Sequence, residues 1–468
     1  METHERAGLH VLVLPFPAQG RITPMLSFSH LLAARGIVVT FLNTDKAHAR
    51  LQFPQAEGEE QKRSIGIRFE VMPDGSQEAL PGSQHSFQVS SMLAILKGME
   101  SHQGMIEEMV VRSRATPHPI TCIISDSFFP WTCSLATKLG IQRVLFWTSN
   151  GASLATAVEL KSGKLKVSDL GDDEMTAGVP IARSEYFSTL AMQEPEHVKM
   201  FMERMNGLED TICIVVNTFQ ELEGPSLEAC ASCETKVHYI GPVVPRGDHK
   251  GASSVSFYKE ESSCIEWLDK QAPRSVLYVS FGSIASLAPQ ELEELAFGIE
   301  QSNQAFLWVL RDSNQSFLEG FLDRTCDRGL VVKWAPQIKV LGHVAVGAFL
   351  THCGWNSVLE SISMGVPMLC YPMMHDQRLN ALLIARIWKL GIGLSKEGQN
   401  GLITREEIES GVLSVLSSEE LHLNLSTWKG LAHGTLQQGG SSYRSLEQFI
   451  DTLRSCIYHS PSCKGMAK

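Results

Sequence analysis

The sequence predicts an α/β fold made of two doubly wound parallel-sheet domains facing a central cleft, and three observations predict it. The chain has 468 residues, which is too long for one ordinary hydrophobic core. Short apolar runs alternate with helix-like stretches in both halves. Between them, 241–262 mixes Pro, Gly, Ser and charges without a period and is the predicted linker. We therefore expect an N-terminal domain over 1–240 and a C-terminal domain over 263–440.

The first half begins with a strand–helix–strand unit. "HVLVL" (10–14) and "IVVTFLN" (37–43) are predicted strands around a helix over about 24–35. Thr23 is the predicted N-cap of this helix, with Pro24 at its first position, where a missing N–H costs nothing. Three more apolar runs are predicted strands of the same sheet: 121–125, 143–147 and 212–217.

The second half repeats the alternation. Its predicted helices cover 289–302 and 356–365, and its predicted strands cover 275–281, 305–311, 329–334, 347–351 and 366–372. In open α/β sheets, ligands bind at the carboxyl ends of the strands, so two such sheets joined by a linker predict a binding cleft between them.

Composition excludes several classes of function. A net charge of -11 argues against nucleic-acid binding. No apolar stretch is long enough to span a bilayer, and the N-terminal run is interrupted by Pro15 and Pro17, unlike a signal peptide. The eleven cysteines are scattered and odd in number, as expected of reduced thiols in the cytoplasm. The lone Cys230/Cys233 pair is weak evidence for zinc. We expect a cytoplasmic monomer without a metal.

The stretch 334–377 carries most of the predicted chemistry. A strand end delivers His352 and Gly354 to a turn, and Asn356 and Ser357 then open a helix, which makes an anion site suited to a diphosphate. Each residue alone has an ordinary structural explanation. Their position at successive strand ends favours a nucleotide-sugar site, with Glu360 towards the ribose, a base stacked on Trp334, and sugar hydroxyls at Asp376 and Gln377.

Two other nucleotide-binding classes lack their motif. The G-x-G-x-x-G fingerprint of nicotinamide enzymes is missing after the first strand, where "PFPAQGR" stands. No G-x-x-x-x-G-K-[ST] sequence occurs either, which argues against a P-loop. The hypothesis of a dehydrogenase on this type of sheet is therefore poorly supported by the sequence.

Over its 44 residues, 334–377 resembles the signature box of the plant family 1 UDP-dependent glycosyltransferases. The resemblance extends along the chain through "PFPAQG", "CIISDSF", "VLFWTS", "WLDKQAPRSVLYVSFGS" and "GGSSYRSLEQFI". It implies a GT-B fold of two Rossmann-like domains, plant secondary metabolism, an acceptor held by the N-terminal domain and a UDP-sugar held by the C-terminal one. It also implies that a C-terminal helix within 441–468 packs back on the first domain.

The resemblance also implies a role for each matching residue. Trp334 would stack on the uracil and Ala335 would contact it through its backbone, while Gln337 and Glu360 would face the ribose. The diphosphate would be held by Ser283, His352, Gly354, Asn356 and Ser357. The sugar hydroxyls would be read by Thr148, Trp355, Asp376 and Gln377. Gln377 together with Trp355 resembles the glucose-using members, so UDP-glucose is the expected donor. His375 stands where a small residue is usual, beside the sugar.

The large departure from the family pattern is Arg21. A histidine normally stands there and removes the acceptor proton, steadied by an aspartate that Asp126 matches. Arginine stays protonated, so Arg21 and Asp126 would form an ion pair. Four readings stay open: Asp126 acting alone, an acceptor carboxylate held by Arg21, slow transfer without a base, or binding without transfer. We expect an active glucosyltransferase for a small lipophilic hydroxyl or carboxylate acceptor, with a non-catalytic UDP-sugar or metabolite-binding protein as the alternative. The acceptor pocket would include 72–87 and the segment around 180–199.

Overall fold

The fold contains two parallel sheets, each with helices on both faces. The computed structural model describes residues 8–51, 67–75, 89–166, 175–182, 199, 201–244, 256–284, 287–311, 316–374, 376–395 and 401–459. Most of the predicted 72–87 segment and the 180–199 segment lie outside these ranges.

The N-terminal sheet has seven parallel strands in the order β3-β2-β1-β4-β5-β8-β9. These strands are β1 His10–Leu14, β2 Val38–Thr44, β3 Ile67–Met72, β4 Cys122–Asp126, β5 Gln142–Trp147, β8 Cys213–Val216 and β9 Lys236–Tyr239. A separate antiparallel pair is formed by β6 Met175–Thr176 and β7 Val179–Ala182. The strands predicted in this half from apolar runs are confirmed.

The C-terminal sheet has six parallel strands in the order β12-β11-β10-β13-β14-β15. They are β10 Val276–Ser280, β11 Ala305–Val309, β12 Gly329–Val332, β13 Val346–Thr351, β14 Met368–Cys370 and β15 Gly391–Gly393. All five strands predicted in this half are confirmed.

Helices connect successive strands within each sheet, as in a doubly wound fold. In the first half they are α1 Gln19–Ala33, α2 Asp45–Arg50, α3 Val89–Ser101, α4 Gln103–Ser113, α5 Thr132–Leu139, α6 Gly151–Ser162 and α7 Gln220–Ala229. In the second half they are α8 Ser263–Leu268, α9 Pro289–Gln301, α10 Ser316–Thr325, α11 Gln337–Leu341, α12 Trp355–Met364, α13 Gln377–Leu382, α14 Arg405–Ser417, α15 Glu419–Thr435 and α16 Ser441–His459.

Alternation along β1 explains why helices cover both faces of its sheet. Val11 and Val13 pack with α1, while Leu12 and Leu14 pack on the opposite face with α3 and α4. All five residues of β1 are buried. A parallel sheet covered on both faces needs such continuous apolar strands, which is why this half is readable from sequence.

The C-terminal helix α16 packs against the N-terminal sheet. The ring centroid of Phe449 lies 5.6 Å from that of Phe28 in α1 and 5.7 Å from that of His238 in β9. Arg35 Nε donates to Glu447 Oε1 at 2.8 Å on the same contact. The last helix therefore ties the end of the chain to its first domain.

Helix α1 differs from the prediction. It begins at Gln19, its N-cap is Ala18 rather than Thr23, and Pro24 lies inside it. An internal proline removes the bond to the carbonyl four residues earlier, here that of Gly20. That carbonyl instead accepts from Asn356 Nδ2 of the second half at 2.7 Å. The tertiary contact satisfies the carbonyl that Pro24 leaves without a helix partner, and α1 starts five residues earlier than the sequence predicts.

Candidate active site in the interdomain cleft

A cavity of about 620 Å³ lies between the carboxyl ends of the two sheets. The sequence-predicted site residues that line it are Arg21, Thr148, Ser283, Trp334, Ala335, Gln337, His352, Gly354, Trp355, Asn356, Ser357, Glu360, Asp376 and Gln377. Asp126 is fully buried behind Arg21, and His375 lies outside the described residues. Arg21 and Gln377, which are 356 positions apart in the chain, thus line the same cavity.

The turn between β13 and α12 forms an anion-binding corner. Gly354 is the N-cap of α12 and supplies no side-chain cap, so the N–H groups of the first turn are left for a ligand. A Cβ on Gly354 would lie 2.4 Å from His352 Nε2, so a larger residue would displace the imidazole. Burial lowers the pKa of His352 to about 4, which keeps the ring neutral at pH 7.

Trp334 presents an aromatic wall that is supported from behind. Its ring lies 4.4 Å from that of Tyr258 with an interplanar angle of 30°. Arg50 Nη2 of α2 donates to Tyr258 Oη at 3.0 Å, so the first domain helps to hold this pair. The sequence reasoning missed Tyr258, although Phe257 and Tyr258 are the only consecutive aromatic residues in the sequence of the predicted linker.

A hydrogen-bonded trio stands beside Trp334. Gln337 Nε2 donates to Ser357 Oγ at 2.9 Å and to Glu360 Oε2 at 2.6 Å. Tyr278 Oη donates to Gln337 Oε1 at 3.2 Å, which fixes the orientation of the amide. Burial raises the pKa of Glu360 to about 7, and the bond from Gln337 opposes this rise. The arrangement places a carboxylate acceptor where ribose hydroxyls would need one.

Two residues predicted to bind the sugar, Trp355 and Gln377, already use part of their side-chain hydrogen-bonding capacity within the protein. Gln377 Oε1 accepts from the backbone N–H groups of Met373 and Met374 at 3.0 and 2.9 Å, which leaves its amide N–H₂ for a ligand. The indole N–H of Trp355 donates to the carbonyl of Asn217 at 2.7 Å. Trp355 can therefore offer a sugar hydroxyl its backbone N–H, in the first turn of α12, but not its indole N–H.

Arg21 occupies the position where a base was expected. It lies in the first turn of α1, and its Nη1 donates to Asp126 Oδ1 at 3.2 Å and to Thr148 Oγ1. Its guanidinium carbon lies 4.2 Å from the ring centroid of Phe128. Asp126 Oδ1 also accepts from the Phe128 backbone N–H at 3.0 Å. The predicted ion pair forms, and Thr148, predicted to read the sugar, already accepts a hydrogen bond from Arg21.

A second guanidinium, which the sequence reasoning missed, stands on the same wall. Arg204 is only 8% exposed and lines the cavity. Its Nε and Nη2 donate to Ser127 Oγ at 3.1 and 2.8 Å. Its guanidinium carbon lies 3.9 Å from the ring centroid of Trp147 and 4.9 Å from that of Phe128. Arg204 belongs to no motif, so only the three-dimensional structure shows that it is part of the site.

The cleft has no group arranged to hold a metal ion among the residues that the structure describes. Cys230, one of the weak zinc candidates, is 1% exposed and packed in the first domain's core. In the same described ranges, no helix combines the length and the apolar character that crossing a bilayer requires.

Two family models match the chain. One, described as UDP-glucoronosyl and UDP-glucosyl transferase, covers residues 231–429, and the other, described as the N-terminal domain of glycosyltransferases, covers 7–245. Gallate 1-beta-glucosyltransferase of Quercus robur is 31% identical over 96% of this chain and 90% of that protein. Cinnamate beta-D-glucosyltransferase of Fragaria ananassa is 32% identical over 95% and 83%.

Solved structures show the same architecture. The crystal structure of Os79 from O. sativa in complex with UDP superposes with a TM-score of 0.81 at 27% identity, over 95% of this chain and all of that one. Two parallel-sheet domains facing a cleft of this kind define the GT-B class of glycosyltransferase fold. Within that class, the chain belongs to the plant family 1 UDP-dependent glycosyltransferases.

Proposed function

We propose that the protein transfers glucose from UDP-glucose, with inversion, to a small acceptor whose attacking oxygen is already ionised, namely a carboxylate. The observation that carries this proposal is the guanidinium of Arg21 at the cleft wall, ion-paired to Asp126. A carboxylate needs no base at neutral pH, because its pKa is near 4. A guanidinium is also the side chain best shaped to hold a carboxylate.

The residues at this wall do not suit deprotonation of a neutral hydroxyl. A guanidinium cannot serve as a base, because it gives up its proton only at a pH that proteins do not withstand. Proton transfer from a phenol to an ordinary carboxylate is uphill by about 6 pK units, roughly 8 kcal/mol. Asp126 is also fully buried behind Arg21, out of contact with the cavity. Transfer to a hydroxyl would therefore be slow, because only the positioning of the substrates and the activation of the donor would accelerate it.

The proposed step moves no proton. A carboxylate oxygen attacks the anomeric carbon from the face opposite UDP and forms the new C–O bond. The bond from the anomeric carbon to the β-phosphate oxygen breaks, and UDP leaves with the electron pair. The N-terminus of α12, with Ser357 and the neutral His352, would receive the negative charge that develops on the diphosphate. The step needs no metal, and we expect activity to survive a chelator.

The names of two relatives agree with this acceptor class. Gallate and cinnamate, which the Quercus robur and Fragaria ananassa enzymes are named for, are both aromatic carboxylates. The acceptor side of the present cavity is lined by Phe16, Phe128 and Phe201, which suits an aromatic acceptor.

The test compares acceptors that differ only at the reacting oxygen. UDP release is measured with UDP-glucose and cinnamate, cinnamyl alcohol or a simple phenol, and the product is treated with hydroxylamine, which cleaves acyl esters. We expect release with cinnamate and a hydroxylamine-sensitive product. Equal or faster transfer to the alcohol would contradict the proposal. The same assay with a chelator tests the absence of a metal requirement.

A second candidate function is binding of a UDP-sugar without transfer. The hydrogen bond from Arg21 to Thr148 favours it, because Thr148 would otherwise face the sugar. In that case UDP-glucose would raise the melting temperature, and no acceptor in the panel would release UDP. Turnover with any acceptor excludes this candidate.

A further inference from the structure

Arg204 is a buried cation without a carboxylate partner, at the edge of the space that an acceptor would fill. Within the described ranges, no Asp or Glu oxygen lies within 4.0 Å of its guanidinium, and the guanidinium donates its hydrogen bonds to one hydroxyl, Ser127 Oγ. Arg21, by contrast, is neutralised by Asp126. Asp126 and Asp376 act on Arg204 only from a distance, so among the described residues its guanidinium has no carboxylate in direct contact.

We propose that Arg204 is the specificity-determining residue for the acceptor and binds its anionic group, a carboxylate, which supplies the missing counter-charge. This inference rests on the proposed function and names the residue that selects the acceptor. Arg21 and Arg204 both contact the Phe128 ring, at 4.2 and 4.9 Å from its centroid, so the two guanidiniums belong to the same part of the cavity wall.

The energetic argument comes from the cost of burying a charge. An ion held out of water is strongly destabilised unless it is paired and hydrogen-bonded. Burial and the neighbouring charge of Arg21 lower the pKa of Arg204 to about 9, although the charges of Asp126 and Asp376 oppose this, so Arg204 still carries its charge at pH 7. The ring faces of Trp147 and Phe128 offset part of the cost. An anionic ligand offsets the remainder, whereas a neutral ligand would desolvate the cation further.

A second buried arginine shows what a purely structural one looks like in this chain. Arg143 is 1% exposed, and it donates to Thr132 Oγ1, Thr211 Oγ1 and the Gly207 carbonyl at 3.0, 2.7 and 3.2 Å. These partners come from two segments that Arg143 joins together, the start of α5 and the turn at 207–211, and Arg143 does not line the cavity. Among the described residues Arg204 hydrogen-bonds one side chain, that of Ser127, and it does line the cavity, so a structural role alone does not account for its placement.

The test measures binding separately from turnover. Cinnamate and cinnamyl alcohol are titrated into the UDP-saturated protein by calorimetry, for the natural protein and for Arg204→Gln and Arg204→Lys. We expect the natural protein to prefer cinnamate and Arg204→Gln to bind cinnamate about 30-fold more weakly, with UDP affinity unchanged. Arg204→Lys keeps the charge but loses the fork, and we expect an intermediate loss of cinnamate affinity.

Arg143→Lys is the matched control, expected to lower the melting temperature and leave the preference for cinnamate intact. Unchanged cinnamate affinity in Arg204→Gln, or no preference in the natural protein, would overturn the assignment. If Arg204→Gln does not fold, Arg204→Lys decides: a variant that binds cinnamate as tightly as the natural protein, with no change in preference, also overturns it. Transfer is scored independently. Arg204-dependent binding without turnover refutes the proposed function alone, and turnover on cinnamate without dependence on Arg204 refutes this inference alone.

Discussion

The two walls of the cleft are built in opposite ways. The donor wall comes mostly from one stretch, 334–377, and uses small polar groups, a helix N-terminus and a neutral histidine. The acceptor wall draws on residues separated by up to 188 positions, from Phe16 to Arg204, and is dominated by guanidiniums and aromatic rings. The donor wall is thus suited to one fixed ligand. If the proposed function is correct, the charge on the acceptor wall restricts what that wall can bind.

The difference shows which part of such an enzyme can change without loss of the fold. The donor wall is locked by internal bonds, as between Gln337 and Glu360 at 2.6 Å. At the acceptor wall, one side chain at position 21 decides whether a base or a cation faces the ligand. A change of mechanism therefore needs very few substitutions on this side.

The largest expected effect on the difference between the two walls comes from restoring a base at the acceptor wall. Arg21→His should raise kcat/KM for transfer to a phenol by about 10²- to 10⁴-fold, the usual contribution of a general base. Asp126 Oδ1, which now accepts from Arg21, would orient the imidazole, and the nearby Arg204 charge would lower the imidazole pKa and favour the basic form. UDP release with UDP-glucose and a phenol measures the effect.

Arg21→Gln is the control for that experiment, because it removes the charge without adding a base. Its phenol transfer should stay close to that of the natural protein. Equal rates for the His and Gln variants would show that the acceptor wall no longer orients a hydroxyl for attack, and the difference between the walls would then extend beyond one residue.

The donor wall should be less tolerant of a small change in shape. Gly354→Ala should weaken UDP binding by about 100-fold, because the new Cβ would meet His352 Nε2 at 2.4 Å and push the anion corner out of position. Calorimetric titration with UDP measures this loss. Gly430→Ala in α15 is the control, since its Cβ would meet no atom within 4 Å. UDP affinity equal in the two variants would contradict the proposed rigidity of this wall.

The smallest expected effect is a pH dependence confined to the donor wall. The pKa of Glu360 is raised to about 7, so lowering the pH below 7 protonates it and removes an acceptor for ribose hydroxyls. Affinity for uridine, which has no phosphate to titrate, should fall by up to about tenfold from pH 8 to pH 6. In Glu360→Gln the profile should be flat. A decline of the same size in that variant would assign the titration to another group.

The sequence predicted the donor wall better than the acceptor wall for a physical reason. Successive strand ends of 334–377 place their residues side by side, so Trp334 and Glu360 could be grouped from their order alone, whereas Gln337 was added by the family resemblance. Arg204 reaches the cleft from a segment without a motif, and its contacts with Trp147 and Ser127 follow only from the packing of distant segments.

The fold was predicted where strands are continuously apolar and missed where they are not. Strand β3, Ile67–Met72, carries Arg68 and Glu70 at the sheet edge and resembles a surface segment. The start of α1 was wrong because Pro24 is typical of a first helical position. Only a contact with the other domain shows how the bond that Pro24 omits is replaced.

That replacement has a thermodynamic consequence. Asn356 stands in the first turn of α12, yet its Nδ2 donates to the carbonyl of Gly20, the residue directly before Arg21. Any free energy by which a bound diphosphate strengthens or weakens this bond is felt by the helix that carries Arg21. By reciprocity, an acceptor that shifts α1 must change the affinity for the donor by the same factor. We therefore expect donor and acceptor binding to be coupled to the extent that each ligand alters the bond between Asn356 and Gly20.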